Sequence, residues 1–581
     1  MRPSVFIFAV AKRAASLSAL MVVVSCQSLP GGRAPAPVTS QGERYDMLIT
    51  NGRVIDGTGA AWFYGDVAVR GGRIVAVAPR GALRANQARE VVDASGLAVA
   101  PGFIDIQGHS GGFLLNGDAR VVGKVSQGVT TEILGEGSTP APMSASELAT
   151  RPVGDTLSRG FASPHGFDYW LTTMERRGIS INVGSFVGGS TLRAYGMGLA
   201  SGRASGEKLD AMRSALALAM QDGAFGLATA LIYPPGVFAS TEELVDVVKS
   251  MAPYGGLYIT HMRSEGDQLL EAVDEAVRIG REGGVPVEIF HLKAAGLRNH
   301  ARGPQSIARI NAARAAGLDV QANMYPYTAG GTGLTSCLPP NAQEEGLLFQ
   351  RLADPAERAR LRAEIERPTS AWENLCELAG AEGVLIARLN SDSLSQYSGK
   401  RLSEIAAARG TDWIETAMTL ILAERSRVET IYFLMSEENV ALNLQQPWMK
   451  IGTDAAGHDP ETSSGLVHPR AYGTFPRILG KYARNEGVLP LEDAVRKMTS
   501  ATARRLGITD RGLLTVGMHA DIVLFDPTTI IDSATYDEPH KVSTGVRATY
   551  VNGVAVWKDG AHTGATPGRA VRGPGYGRIV P

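Results

Sequence analysis

Short apolar runs that close on a polar or glycine-bearing turn recur through the middle of the chain, separated by amphipathic stretches. Leu257-Tyr258-Ile259-Thr260 closes on His261, and Val285-Pro286-Val287-Glu288-Ile289-Phe290 closes on His291. Between them Leu269, Leu270, Val273, Ala276 and Val277 repeat at helical spacing, which predicts a helix over 267–282. That is strand–helix–strand, about one βα repeat. The same alternation predicts eight strands from Pro101 onward, ending near His109, Glu136, Gly184, Ala230, His261, His291, Tyr325 and Asp454. Helices are predicted over 207–221, 241–251 and 305–316. Eight such units make an α/β chain and close as a (β/α)8 TIM-like barrel with its chemistry at the C-terminal strand ends.

The two ends of the chain read differently. Segments at 47–50, 67–69, 74–77 and 90–93 look like short strands, with Asn51-Gly52 and Gly71-Gly72 as hairpin turns. Helices at 491–499 and 500–506 precede β-like segments at 520–525 and 546–556. The expectation is a small β-sandwich domain built from both chain ends (45–100 and 506–581) around a barrel at 101–505. The gap between the seventh and eighth strands is too long for one loop. An inserted subdomain is expected at about 333–425, as a lid over the site.

Composition narrows the partners. A net charge of -1 over 581 residues, with no basic cluster interleaved with aromatics, argues against nucleic acid. At the N-terminus Arg2, Lys12 and Arg13 precede an apolar run over 14–24, too short to stay in a bilayer and suited to a signal peptide at 1–25. Val23-Val24-Ser25-Cys26 resembles the lipobox of bacterial lipoproteins, so cleavage before a lipidated Cys26 is expected, followed by a Pro/Gly/Ser-rich tether at 26–44. The alternative is an ordinary cleaved signal with an incidental cysteine. The lipoprotein reading places the protein on the periplasmic side of a bacterial cell envelope, touching membrane only through its anchor. Cys337 and Cys376 fall in the expected insertion; in an oxidising compartment they can pair, and the sequence leaves this open.

With only 10 histidines in the chain, their placement is informative. One histidine at a strand end is ordinarily a polar residue closing a turn. His109, Glu136, His261, His291 and Asp454 all at strand ends form a candidate metal site. The chain resembles the N-acyl-D-amino-acid deacylase (D-aminoacylase) family of the amidohydrolase superfamily. The marks are Ala100-Pro101-Gly102-Phe103-Ile104-Asp105, Gln127-Gly128-Val129-Thr130-Thr131 and Tyr258-Ile259-Thr260-His261-Met262-Arg263. Phe290-His291-Leu292-Lys293, Tyr325-Pro326-Tyr327, His468-Pro469-Arg470, Gly473-Thr474-Phe475-Pro476-Arg477 and Ala520-Asp521-Ile522-Val523 come after them in order.

The resemblance implies a zinc-dependent hydrolase that releases a D-amino acid and a carboxylate from an N-acyl-D-amino acid, with Asp454 as general base. It also implies Lys293, Tyr325 and Arg470 as a clamp for the substrate's free carboxylate, with Thr332 standing where the family has a serine. Two departures matter. The family's His-x-His becomes Gln107-Gly108-His109, and an amide is a poor zinc ligand, so one tight ion is expected with a second weak or absent. The family's metal-bridging cysteine is replaced by Glu136, or by Gly137 in an ungapped match. Glu136, His261 and His291 then form the set for the tight ion, and His109 with Asp454 a weaker site. His300, His458 and His468 lie in loops near these elements and rank lower. Alternatives are hydrolysis of a related dipeptide or cyclic amide, and a non-catalytic envelope protein with a decayed metal site.

Overall fold

The computed structural model describes residues 44–367 and 371–579. The leader, Cys26 and all but the last residue of the tether lie outside the described residues. Eight parallel strand segments succeed one another from Phe103: Phe103–Asp105, Val129–Leu134, Asn182–Ser185 continued by Val187–Gly188, Gly226–Ala230, Leu257–His261, Val287–Ile289, Val320–Met324 and Met449–Ile451. The first three pair in one parallel set and the last six in another, and the third strand belongs to both through its two halves. The ring closes between the eighth and first strands, where Asp454 N donates to the Gln107 carbonyl (2.8 Å) and His109 N to that of Ala455 (3.0 Å).

Alternation along the strands sets what lies inside. Ile104, Ile133, Ala228, Ile259 and Phe290 belong to one buried cluster, whereas Phe103, Val129, Leu227, Tyr258 and Ile289 join the larger core shared with the surrounding helices. The helix between the histidine-bearing strands spans Leu269–Gly283 and buries Leu269, Ala272, Val273, Ala276 and Ile279. It ends at Gly284, whose φ of 69° is the left-handed cap that glycine adopts without strain.

The chain ends meet in one nine-stranded set. Ala98–Pro101 pairs with Ile522–Phe525 on one side and touches Tyr45–Val54 on the other. Gly71-Gly72 turns the hairpin between Phe63–Arg70 and Arg73–Pro79. Asn51-Gly52 does not turn: the strand runs on from Tyr45 to Val54, and its register with Phe63–Arg70 slips there as a bulge, with Asn51 at φ 64°.

The insertion is wider than 333–425. Its antiparallel sheet orders Ala329–Gly333, Glu429–Phe433, Val384–Arg388 and Lys400–Arg401, so both flanking segments belong to it. It has its own core, including Leu334, Leu361, Ile386, Ile405 and Leu420. A disulfide joins Cys337 to Cys376 within it, with the Cα atoms 5.1 Å apart.

Candidate active site

The C-terminal strand ends and the insertion enclose a cavity of about 690 Å³, lined by His109, Glu136, His261, His291, Tyr325, Asp454 and Arg470 among others. Two of these residues hold left-handed backbone without being glycine: His291 (φ 33°) and Asp454 (φ 49°). Each lies just past the end of a barrel strand, and the turn directs its side chain into the ring. Such conformations cost on the order of 1–3 kcal/mol each and persist where surroundings over-determine them. Here His291 N donates to Asn323 Oδ1 (2.9 Å), and Asp454 N to the Gln107 carbonyl.

Glu136 is the hub. Its Oε1 lies 3.2 Å from His291 Nε2 and 3.4 Å from His261 Nδ1. Its Oε2 lies 3.4 Å from His109 Nε2, which is itself 2.9 Å from Asp454 Oδ1. Zinc with bonds of about 2.0–2.1 Å in a tetrahedron sets neighbouring ligand atoms about 3.3–3.4 Å apart. The separations of Glu136 from His291 and from His261 match such an edge, and the three ligand atoms lie within 4.8 Å of one another. His109, Glu136 and Asp454 form a second, more exposed cluster. Burial works to raise the Glu136 pKa, but His291, then His109 and His261, hold it well below the ordinary carboxylate value.

Gln107 points its amide nitrogen at this hub: Nε2 donates to Glu136 Oε2 at 2.5 Å. The side chain thus occupies an oxygen the second cluster would use and presents a donor, not a ligand, to it. Asp454 is buried, which favours its neutral form, yet Arg470 above all keeps its pKa below the usual value. Arg470 Nη1 lies 2.6 Å from Asp454 Oδ2, and the guanidinium stacks 4.5 Å above the Tyr325 ring. Burial raises the Tyr325 hydroxyl pKa, so it stays a neutral donor, and its hydrogen-bond contact is Met435 Sδ at 3.9 Å.

Lys293, expected in the clamp, lines the cavity beside Tyr325. Its ammonium donates to Glu265 Oε1 (2.6 Å) and lies 2.8 Å from His291 Nδ1. Thr332 Oγ1 accepts from the Tyr233 hydroxyl (2.9 Å) on the cavity wall. His468, ranked low from sequence, is buried in that wall with Nε2 2.8 Å from the Ala329 carbonyl, whereas His300 Nε2 meets the Leu434 carbonyl (3.1 Å). Burial, then Arg388, pushes the cavity residue His458 down to about 4.

Sequence reasoning missed Glu265. Its Oε1 is 2.9 Å from His291 Nδ1 and its Oε2 3.7 Å from His261 Nε2. The outer ring nitrogens of the two histidines, His291 Nδ1 within hydrogen-bond reach and His261 Nε2 beyond it, face this carboxylate, the arrangement that orients metal-bound imidazoles. The available signal was a glutamate four residues after His261 in Thr260-His261-Met262-Arg263-Ser264-Glu265. Tyr233 was missed too; its ring lies 5.5 Å from that of His261.

A model of the amidohydrolase family matches residues 354–557. The D-aminoacylase of Alcaligenes xylosoxydans xylosoxydans is 37% identical, over 92% of this chain and 98% of its own length. A D-aminoacylase structure described for its binuclear metal centre, with one-metal activation and second-metal attenuation, superposes with a TM-score of 0.75 at 36% identity, covering 91% of this chain and all of that one. The N-acyl-D-glutamate deacylase of Bordetella bronchiseptica, solved with zinc and a phosphonate mimic of the tetrahedral intermediate, gives a TM-score of 0.75 at 32% identity with the same coverage.

Proposed function

The chain belongs to the N-acyl-D-amino-acid deacylase family of amidohydrolases, and on that premise we propose that it is a zinc-dependent hydrolase converting an N-acyl-D-amino acid to a carboxylate and a free D-amino acid. The observation that carries this is Glu136 Oε1 standing 3.2 and 3.4 Å from His291 Nε2 and His261 Nδ1, with Asp454 beside them in the same cavity. Glu136, His261 and His291 would hold the ion. When bound, zinc would supply Lewis-acid chemistry, lowering the pKa of a water and polarising the amide carbonyl.

The protein's own groups do the rest. Asp454, kept ionised by Arg470, accepts a proton from the attacking water and returns it to the leaving amine nitrogen. Arg470 and the Tyr325 hydroxyl are the groups suited to the substrate's α-carboxylate, the guanidinium because its planar fork matches a carboxylate bidentately. Glu265, with Lys293 beside it, holds His291 by its outer nitrogen and faces that of His261. Incubating zinc-loaded protein with paired N-acyl-D- and N-acyl-L-amino acids tests the assignment: free D-amino acid should appear, and chelation should abolish it.

The cellular address belongs to the same proposal: a lipid-anchored protein on the periplasmic side of the envelope. The lipobox-like Ser25-Cys26 supports it, as does the Cys337–Cys376 disulfide, since such bonds persist in oxidising compartments. Radiolabelled palmitate should mark the wild-type protein and not Cys26→Ala; an unlabelled wild type would contradict the anchor.

A further inference from the structure

We propose that Glu373, a residue of the inserted subdomain, is a positioning residue for the histidine pair, and that the Cys337–Cys376 disulfide keeps it in place. The inference rests on reading His261 and His291 as zinc ligands, and it extends that reading to a carboxylate from outside the barrel.

The geometry is a relay of three parts. Glu373 Oε2 accepts from Ser264 Oγ (2.7 Å), Glu265 N (2.7 Å) and Gly266 N (2.8 Å). Three donors on one oxygen fix the backbone of the loop after the fifth barrel strand. Glu265 is the middle residue of that loop, and its side chain faces His291 Nδ1 and His261 Nε2. The loop has no free choice of place: Glu265 O also accepts from Ala295 N (2.7 Å), tying it to the loop after the sixth strand.

The segment bearing Glu373 is short and is secured by the helix next to it. Asn374 caps that helix, Leu375–Ala379, and Cys376 within it is bonded to Cys337. Leu378, one half-turn on, packs against two glycines. A Cβ on Gly266 would lie 2.9 Å from Leu378 Cδ1, and one on Gly296 2.9 Å from Leu378 Cδ2. Side chains at either glycine would displace the Leu378 methyls that sit against both loops. Three contacts therefore converge: the carboxylate on the loop, the leucine between the glycines and the disulfide behind both. Partners that orient ligating histidines typically alter metal affinity about 10–100-fold when lost. Glu373 acts one residue further out, through the backbone of Glu265.

The experiment measures zinc release to a chromogenic chelator, the melting temperature of the metal-free protein, and kcat and KM at saturating zinc. The variants are Glu373→Ala, Glu373→Gln, the double variant Cys337→Ser/Cys376→Ser, Glu265→Ala and His261→Ala. Glu373→Ala is expected to release zinc at least about tenfold faster with KM unchanged, approaching Glu265→Ala. Glu373→Gln should release zinc close to the wild-type rate, because its amide oxygen can accept the same three hydrogen bonds. The double cysteine variant should shift in the direction of Glu373→Ala. Wild-type release from Glu373→Ala overturns the proposal, and so does faster release matched by an equal fall in melting temperature across all insertion variants. Should His261→Ala retain zinc like the wild type, the ligand reading itself fails; should only His261→Ala and Glu265→Ala lose it, the role of Glu373 alone fails.

Discussion

Arg470 Nη1 lies 2.6 Å from Asp454 Oδ2, so the cation suited to the substrate's carboxylate is, in the free site, paired with the general base. A substrate carboxylate bound there, as proposed, would compete for the guanidinium and loosen its hold on Asp454. On the proposed function, Arg470 would thereby link recognition to proton transfer.

This link has a sign that pH can read. Arg470 lowers the Asp454 pKa, favouring the ionised form needed to accept a proton. Arg470→Met removes that effect, so the Asp454 pKa rises and the acid limb of kcat/KM moves to higher pH. KM should rise strongly for substrates with a free α-carboxylate and little for the corresponding amides. An acid limb that stays in place would separate Arg470 from the base.

Asp454→Asn keeps the shape of the side chain and removes the proton acceptor. Zinc content should stay near wild type while kcat falls by about 10²–10⁴. Near-normal turnover would place the base elsewhere.

Glu136 touches both ligand clusters with separate oxygens. Glu136→Gln should lose zinc and activity together, because the neutral amide lacks the charge. Glu136→Cys should recover zinc under reducing conditions and lose it to oxidants, since a thiolate suits zinc but oxidises. Full zinc content in Glu136→Gln would remove Glu136 from the ligand set.

Zinc binding should release protons. Without metal, burial and Lys293 lower the His291 pKa, but Glu265 and Glu136 outweigh them and raise it to about 9. The ring is then protonated at neutral pH and must lose its proton to ligate. Affinity should climb as pH rises towards 9, by up to about tenfold per pH unit for each proton displaced. Calorimetry in buffers of different ionisation enthalpy checks this; a buffer-independent heat at pH 7 would contradict it.

Local physics decides how much of this was legible in the sequence. The strands leading to His261 and His291 announced themselves because apolar runs flank a helix of clear periodicity. Glu265 did not, since nothing in a loop pattern says which way a carboxylate faces. A two-residue strand period would put Lys293 on the same side as His291, but the strand ends at Ile289 and His291 is left-handed, so that period does not apply. The Lys293 ammonium reaches His291 Nδ1 and Glu265 within the cavity lining. Ala329–Gly333 carries three glycines and no alternation, and only pairing with Glu429–Phe433 makes it a strand. Asn51-Gly52 has the composition of a hairpin turn, yet the neighbouring strand continues alongside and turns it into a bulge.

The most direct measurement titrates metal-stripped protein with zinc while monitoring D-amino acid release from N-acyl-D-amino acids and their L-enantiomers. With Gln107 donating to Glu136 Oε2, activity should saturate at one zinc per chain and be confined to the D-series. Equal hydrolysis of both enantiomers, or no amino acid released at any zinc concentration, would contradict the assignment.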